Sequence, residues 1–145
     1  MKSLFKYICI GSDHAGFHTK EYIKEFLLKS KISVIDLGTN NLSSVDYPDF
    51  AKKVANRVKS KKSNIGILVC GSGTGMAISA NKIKGIRAAV CYNTASTRLS
   101  RVHNDANIIA LGSRLTKKKN VERLVSTFLS TKFEGGRHLR RVKKI

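Results

Sequence analysis

A chain of 145 residues with 41% hydrophobic residues is long enough to bury one ordinary core, and we expect a single domain over residues 1–145. No apolar run approaches the ~18–20 residues that a membrane span requires, so a transmembrane protein is excluded. Lys and Arg number 28 against 9 Asp and Glu, and this net charge of +19 leaves three explanations open: a solvated lysine-rich surface, a polyanion-binding protein, or a few cations that hold a small anionic substrate.

The predicted elements alternate between strand and helix along the whole chain. Apolar runs predict five strands, over residues 7–12, 33–38, 65–70, 86–91 and 107–113. Apolar residues at helical spacing predict helices over residues 17–30, 46–60 and 121–130. The segments after the third and fourth strands predict two more helices, from about 75 and over 94–103. This alternation predicts an α/β fold, a doubly wound, Rossmann-like three-layer sandwich with a five-stranded parallel sheet.

The topology of such a sheet selects candidate site residues before any chemistry is considered. Ligands of doubly wound sheets bind beyond the carboxyl ends of the strands, near the point where the strand order reverses. We therefore expect four segments to meet at one edge of the sheet: residues 12–14, Cys70 with the glycines that follow it, residues 91–93 and residues 112–114.

The segment "CGSGTGM", residues 70–76, places a cysteine at the start of a glycine-rich turn. A dinucleotide fingerprint would require glycine at Met76 and an acidic residue about 20 positions later, and a P-loop would require Gly-Lys-Ser/Thr. Neither pattern is present. Backbone N–H groups that open onto a helix N-terminus are typical of an anion site, although a turn with only a structural role also fits.

Cys70 favours chemistry at this turn. Its sulfur would lie beside a helix N-terminus, which stabilises a thiolate that could act as nucleophile or general base. Cys9 and Cys91 lie inside apolar runs and are interpreted as small core residues. Because the three cysteines form no CxxC pair, we expect neither disulfides nor a zinc site, and a cytoplasmic protein.

The other candidates each have a structural alternative. Asp13 could simply cap the first helix, and His103 could be an exposed residue at a helix C-terminus. The tail "GGRHLRR", residues 135–141, could be a disordered basic end. Each alternative is reasonable alone, but it is less reasonable that all of these groups lack a function.

Five segments in order carry a resemblance to a known family: "SDHAG" (12–16), "DYPDFA" (46–51), "CGSGTGMAISANK" (70–82), "RVHNDANIIALGSR" (101–114) and "EGGRHLRR" (134–141). Together they resemble the type B ribose-5-phosphate isomerases, a family that also includes galactose-6-phosphate isomerase subunits and allose-6-phosphate isomerases. The resemblance covers nearly the whole chain.

The resemblance implies an aldose–ketose isomerase of the non-oxidative pentose phosphate pathway, which interconverts D-ribose 5-phosphate and D-ribulose 5-phosphate without cofactor or metal. Cys70 would be the general base that moves a proton between C1 and C2 through a cis-enediolate. Some relatives use a glutamate in the next helix instead, but Met76 offers no carboxylate.

The resemblance also implies roles for the residues around Cys70. His103 would open the furanose ring, with Asp13 near the same hydroxyl groups, and Ser72 would bond to a sugar oxygen or position the loop. The backbone amides of the turn would form the anion hole; this set is Gly71, Gly73, Thr74 and Gly75. Tyr47 and Asn104 would line the sugar site. The phosphate would be held by His14, Arg137 and Arg141, with Arg114 and His138 close by.

In the family two subunits share each active site, which implies a homodimer or a dimer of dimers. The same chemistry on a six-carbon phosphosugar, allose 6-phosphate or galactose 6-phosphate, is the alternative substrate assignment. Nucleic-acid binding is disfavoured, because the chain has no Trp and only 7% aromatic residues to stack on bases.

Overall fold

The computed structural model describes residues 1–5, 7–61 and 64–145. Its strands are β1 (Tyr7–Ser12), β2 (Val34–Asp36), β3 (Asn64–Cys70), β4 (Ala88–Val90) and β5 (Ile108–Gly112). Its helices are α1 (Phe17–Lys29), α2 (Tyr47–Lys59), α3 (Thr74–Asn81), α4 (Thr94–Val102), α5 (Lys118–Ser130) and α6 (Arg137–Val142). Within these ranges, no helix combines the length and the apolar character that a bilayer crossing demands.

The five strands form one parallel sheet in the order β2-β1-β3-β5-β4. From β1 the chain moves outward to β2, and α2 then carries it back across β1 to β3. From β3 the chain moves the other way, so β1 and β3 flank the point where the strand order reverses. The register aligns their carboxyl ends, since Ser12 pairs with Val69 and Cys70 pairs with Gly112 of β5.

Helices cover both faces of the sheet and enclose two separate hydrophobic cores. Buried side chains of α1 and α5, such as Leu27 and Phe128, pack on one face, and those of α2 and α3, such as Val54 and Met76, pack on the other. Successive side chains of a strand point to opposite faces. Cys70 consequently belongs to the α2–α3 side, and the α/β sandwich predicted from the sequence is confirmed.

A buried cation ties α1 to the edge strand β2. Lys20 is fully buried, and its ammonium group lies 2.7 Å from a Glu21 carboxylate oxygen and 2.5 Å from an Asp36 carboxylate oxygen. Lys24 adds a second ammonium 2.6 Å from the same Asp36 oxygen. A charge removed from water is tolerated only when it is paired in this way, so these contacts fix α1 against the end of β2.

The clearest departure from the sequence prediction is at the C-terminus. Residues of the basic tail, for which a disordered end was one interpretation, form the short helix α6. The segment that leads into α6 is joined to the end of α4 by a backbone hydrogen bond, in which the Glu134 N–H donates to the Val102 carbonyl over 3.1 Å. Hydrophobic periodicity gives little signal over six residues, whereas this tertiary contact holds the segment against the domain.

Candidate active site

A cavity of about 530 Å³ opens beyond the carboxyl ends of β1, β3 and β5, at the point where the strand order reverses. This is the position that the topology of a doubly wound sheet predicts for a ligand. Its lining includes eight of the site residues proposed from the sequence: Asp13, His14, Tyr47, Cys70, Gly71, Ser72, Gly75 and Arg114. Ala15 and Leu115 complete the lining and had not been singled out.

The turn after β3 requires glycine for reasons of space as well as of backbone conformation. Gly73 has φ +81°, and a β-carbon there would lie 2.9 Å from the carbonyl carbon of Leu111. A β-carbon at Gly75 would lie 2.7 Å from the Tyr47 ring. The turn is therefore pressed against β5 on one side and against the start of α2 on the other, and it leads directly into α3 at Thr74.

The sulfur of Cys70 lies inside this turn. The Gly73 N–H donates to Cys70 Sγ over 3.1 Å, and the cysteine is 5% exposed at the floor of the cavity. A main-chain donor and the amino end of α3 both favour negative charge at this place. The same groups can stabilise a thiolate or an oxyanion that develops beside it.

Asp13 and His14 follow β1 and form the opposite wall of the cavity. The Asp13 carboxylate accepts the Gly16 N–H over 3.0 Å and so closes the turn before α1. The cap residue of α1 is Gly16, so Asp13 is not the helix cap that the structural alternative proposed. His14 Nδ1 accepts the Val45 N–H over 3.2 Å. This bond makes Nδ1 the unprotonated nitrogen of the neutral ring, and Nε2 then carries the proton and can donate to an anionic ligand.

Arg114 brings a positive charge to the same cavity from the end of β5. Its backbone N–H donates to the Gly71 carbonyl over 3.1 Å. Its guanidinium lies over Gly71, where an added β-carbon would be 3.0 Å from Nη1. The β3 and β5 turns are thereby joined, and an anion in the cavity would meet this guanidinium together with the turn amides.

The remaining candidates lie at the other edge of the sheet. Helix α4 runs back from the end of β4, so residues that follow it are near the amino ends of the strands. The Arg87 side chain, just before β4, accordingly donates to the Asn104 carbonyl over 2.9 Å. The structure does not bring this second group, which consists of His103, Asn104, Arg137, His138 and Arg141, into the Cys70 cavity of the same chain.

His103 and His138 form the centre of this second group. Their rings stack with centroids 4.3 Å apart and planes inclined by 20°. Burial lowers the pKa of His138, and positive charge on His103 lowers it further, whereas Glu134 opposes both effects. The positive charges of Arg137 and Arg141 on α6 lower the pKa of His138 in the same way. Because these two guanidinium groups lie beside the two histidines, the group as a whole is suited to an anion.

Within the described part of the chain, one set of side chains offers three possible metal ligands: His103, Glu134 and His138, whose donor atoms lie within 4.8 Å of one another. The stacked rings do not favour a shared metal. An imidazole binds a metal in its own plane, and an ion in the plane of one of these two rings would lie well outside the plane of the other.

The sequence analysis placed Tyr92 at this edge of the sheet, within residues 91–93, but gave it no role. The Tyr92 hydroxyl donates to the Ser72 carbonyl over 3.2 Å, from the loop between β4 and α4. The topology places Tyr92 at the correct edge of the sheet, directly after the fourth strand. Only the three-dimensional structure shows that it reaches the glycine turn across β5.

Comparisons with known proteins identify the family of the chain. A model of the Ribose/Galactose Isomerase family matches residues 8–145. Ribose-5-phosphate isomerase B of Escherichia coli is 44% identical over 140 residues, which cover 97% of this chain and 94% of that protein.

Solved structures agree as well. Ribose-5-phosphate isomerase B of Clostridium thermocellum superimposes with a TM-score of 0.93 at 52% identity, over 95% of this chain and 93% of that one. The enzyme of Mycoplasma genitalium, with bound ribulose 5-phosphate, gives a TM-score of 0.92 at 41% identity, over 99% and 95% of the two chains. On the family match and these identities, the chain belongs to the Ribose/Galactose Isomerase family.

Proposed function

We propose that the protein interconverts D-ribose 5-phosphate and D-ribulose 5-phosphate, as a cofactor-independent aldose–ketose isomerase of the pentose phosphate pathway. The observation that carries the proposal is the Cys70 sulfur, 3.1 Å from the Gly73 nitrogen, in a cavity that is also lined by His14 and Arg114. Support comes from the related Mycoplasma genitalium enzyme, which holds ribulose 5-phosphate.

Cys70 is the general base of the proposed reaction. In the open-chain aldose, the thiolate removes the proton from C2, and the C–H electron pair forms a C1–C2 double bond while charge passes to the C1 oxygen. The resulting cis-enediolate collapses when the hydroxyl at C2 loses its proton and becomes the ketone carbonyl. The proton held by sulfur returns to C1, and the C1 oxygen is protonated to the hydroxyl, so that no atom is gained or lost.

The turn amides stabilise this reaction because they meet charge only as it develops. The proposed donors to the enediolate oxygen are the N–H groups at the amino end of α3, those of Gly71, Gly73, Thr74 and Gly75. Without substrate, the Gly73 N–H donates to Cys70 Sγ and the Thr74 N–H donates to Ser72 Oγ. Ser72 and Asp13 lie beside the cavity and bond to the sugar hydroxyl groups, and Tyr47 lines the sugar site. His14 and Arg114 supply the cavity's own donors to the phosphate.

Two copies of the chain complete each site. The His103 group, with Asn104, Arg137, His138 and Arg141, lies at the opposite edge of the sheet from Cys70, so it serves the cavity of a second copy. In that arrangement His103 opens the furanose ring, Asn104 contacts the sugar, and Arg137, His138 and Arg141 hold the phosphate. The functional unit is a homodimer, or a dimer of dimers, of single domains spanning residues 1–145. Three free cysteines, all buried, suit a cytoplasmic enzyme.

The direct test is turnover by the purified protein. Incubation with ribose 5-phosphate in buffer that contains a metal chelator should produce the ketose, followed by absorbance or by NMR of the C1 protons. Exchange of the C2 proton with solvent deuterium during turnover is expected for a base-mediated transfer. Absence of ketose at any enzyme concentration would refute the proposal.

A six-carbon phosphosugar is the second candidate substrate, because the matched family is described by both ribose and galactose. Both substrates would present the same phosphate and the same reacting carbons to the site. Values of kcat/KM for ribose 5-phosphate, allose 6-phosphate and galactose 6-phosphate, measured side by side, decide between them.

A further inference from the structure

The peptide group between Ser72 and Gly73 is hydrogen-bonded at both ends. Its N–H, which belongs to Gly73, donates to Cys70 Sγ over 3.1 Å. Its carbonyl, which belongs to Ser72, accepts the Tyr92 hydroxyl over 3.2 Å. Because the atoms of a peptide group lie in one plane, this single unit links a tyrosine after β4 to the sulfur at the end of β3.

Packing against β5 and the two hydrogen bonds together hold this peptide in place. A β-carbon at Gly112 would lie 2.8 Å from the carbonyl carbon and oxygen of Ser72, so the peptide rests directly on the backbone of β5. Gly73, at φ +81°, can adopt conformations that other residues rarely enter. Rotation of the peptide would turn its N–H away from the sulfur and would break the hydrogen bond that the Ser72 carbonyl accepts, so the bond from Tyr92 opposes this rotation.

We propose that Tyr92 is a positioning residue for Cys70, and that its hydroxyl orients and polarises the Ser72–Gly73 peptide so that the Gly73 N–H stabilises the thiolate. A carbonyl that accepts a hydrogen bond makes the N–H of the same peptide a stronger donor. The effect on sulfur reactivity stands on geometry alone; its effect on turnover rests on the proposed function.

Tyr92→Phe is a suitable test because it removes one oxygen atom and keeps the ring. The side chain is 48% exposed, so the substitution leaves no buried hole and the fold is expected to persist. Tyr7→Phe is the matched control, since Tyr7 is 46% exposed and lies at the start of β1, on the edge of the sheet away from the turn.

The first measurement is the rate at which iodoacetamide alkylates Cys70, as a function of pH, with a Cys70→Ala variant as background. Loss of the tyrosine hydroxyl is expected to slow alkylation about threefold near neutral pH, the size of one modest hydrogen bond. Hydrogen exchange at the Gly73 amide should become faster. Tyr7→Phe should match the unmodified chain in both measurements.

Alkylation and Gly73 exchange that are unchanged in Tyr92→Phe would overturn the inference. In the isomerase assay the variant should show a lower kcat at nearly constant KM, because the peptide acts on the reacting group rather than on substrate binding. If the unmodified chain has no isomerase activity while Tyr92→Phe still slows alkylation, the proposed function fails and the positioning role stands. If the unmodified chain is active and alkylation is insensitive to the variant, only the positioning role fails.

Discussion

Cys70 differs from the other two cysteines in what surrounds its sulfur. Burial in the two hydrophobic cores raises the pKa of the Cys9 and Cys91 thiols, which holds them in the unreactive protonated form. Cys70 instead meets a main-chain N–H and borders the cavity. The prediction that Cys9 and Cys91 are core residues is confirmed, and Cys70 is the cysteine that we propose for thiol chemistry.

Cys70→Ala should lower kcat by about 10²–10⁴-fold, the usual contribution of a positioned general base, and should leave substrate affinity nearly unchanged. The measurements are kcat from ketose formation and the Kd of ribulose 5-phosphate from calorimetry. Cys91→Ala is the control, because it removes a sulfur from the core and should reduce stability but not kcat. Full activity in Cys70→Ala would remove the thiol from the mechanism.

A comparison of Gly73→Ala with Gly85→Ala separates the cost of the left-handed backbone from the cost of steric contact in the glycine turn. At Gly85, φ is +89° and an added β-carbon meets nothing within 4 Å, so Gly85→Ala should cost only about 1 kcal/mol for the left-handed backbone. At Gly73 the backbone penalty is joined by contact with Leu111, and we expect a further 1–3 kcal/mol. Urea denaturation of both variants gives the difference. Equal losses would mean that the turn yields without strain.

Among the elements, the attachment of α1 to β2 depends on charge rather than on apolar packing. Burial alone would raise the pKa of the Asp36 carboxyl, but hydrogen bonds from Lys20 and Lys24 and from the Gly38 N–H hold it below its usual value. The ion pair therefore stabilises the fold fully above the unfolded-state pKa of Asp, about 3.9, and this stability is lost as pH falls through the lower folded-state value.

Asp36→Asn should destabilise the protein by on the order of 2 kcal/mol at neutral pH, because Lys20 remains buried with Glu21 as its nearby carboxylate. The unfolding free energy of the variant should also fall less steeply than that of the unmodified chain below about pH 4. Asp49→Asn, on the exposed first turn of α2, is the control. Parallel pH profiles for Asp36→Asn and the unmodified chain would contradict this account.

The strands and the first five helices could be predicted from apolar runs, from apolar residues at helical spacing and from the alternation of strand and helix, but their bounds could not. β4 is limited to Ala88–Val90 although the apolar run is longer, and α5 begins at Lys118, in a basic segment without apolar periodicity. The cavity residues that follow β1, β3 and β5 were predictable because topology sends strand ends to one edge. Tyr47, at the start of α2, was named only through the family resemblance. The Tyr92 bond and the stacking of His103 on His138 were not, since each joins side chains that only the folded chain brings together.

The whole molecule carries its proposed catalytic groups on two opposite edges of one sheet, and this separation can be tested by complementation. Cys70→Ala and His103→Ala should each be inactive alone. When the two variants are mixed and allowed to exchange subunits, half of the dimers are mixed and each contains one intact site, so about a quarter of full activity should return.

The matched control for this experiment mixes two variants whose substitutions both line the cavity, at the same edge of the sheet. Cys70→Ala mixed with His14→Ala should recover nothing, because each site of the mixed dimer still lacks one of the two groups. Recovery in neither mixture, with subunit exchange demonstrated by mass spectrometry, would place all the groups of a working site in one chain.

The stacked histidines and the cavity lie at opposite edges of the sheet. In the proposed arrangement a single chain therefore lacks a complete site and is inactive. Turnover in very dilute solution would then scale with the square of protein concentration, because every productive encounter with sugar must be preceded by the meeting of two folded chains. Because the substrate would contact both chains, its binding would stabilise the dimer, and the sugar phosphate would thereby promote assembly of the active enzyme.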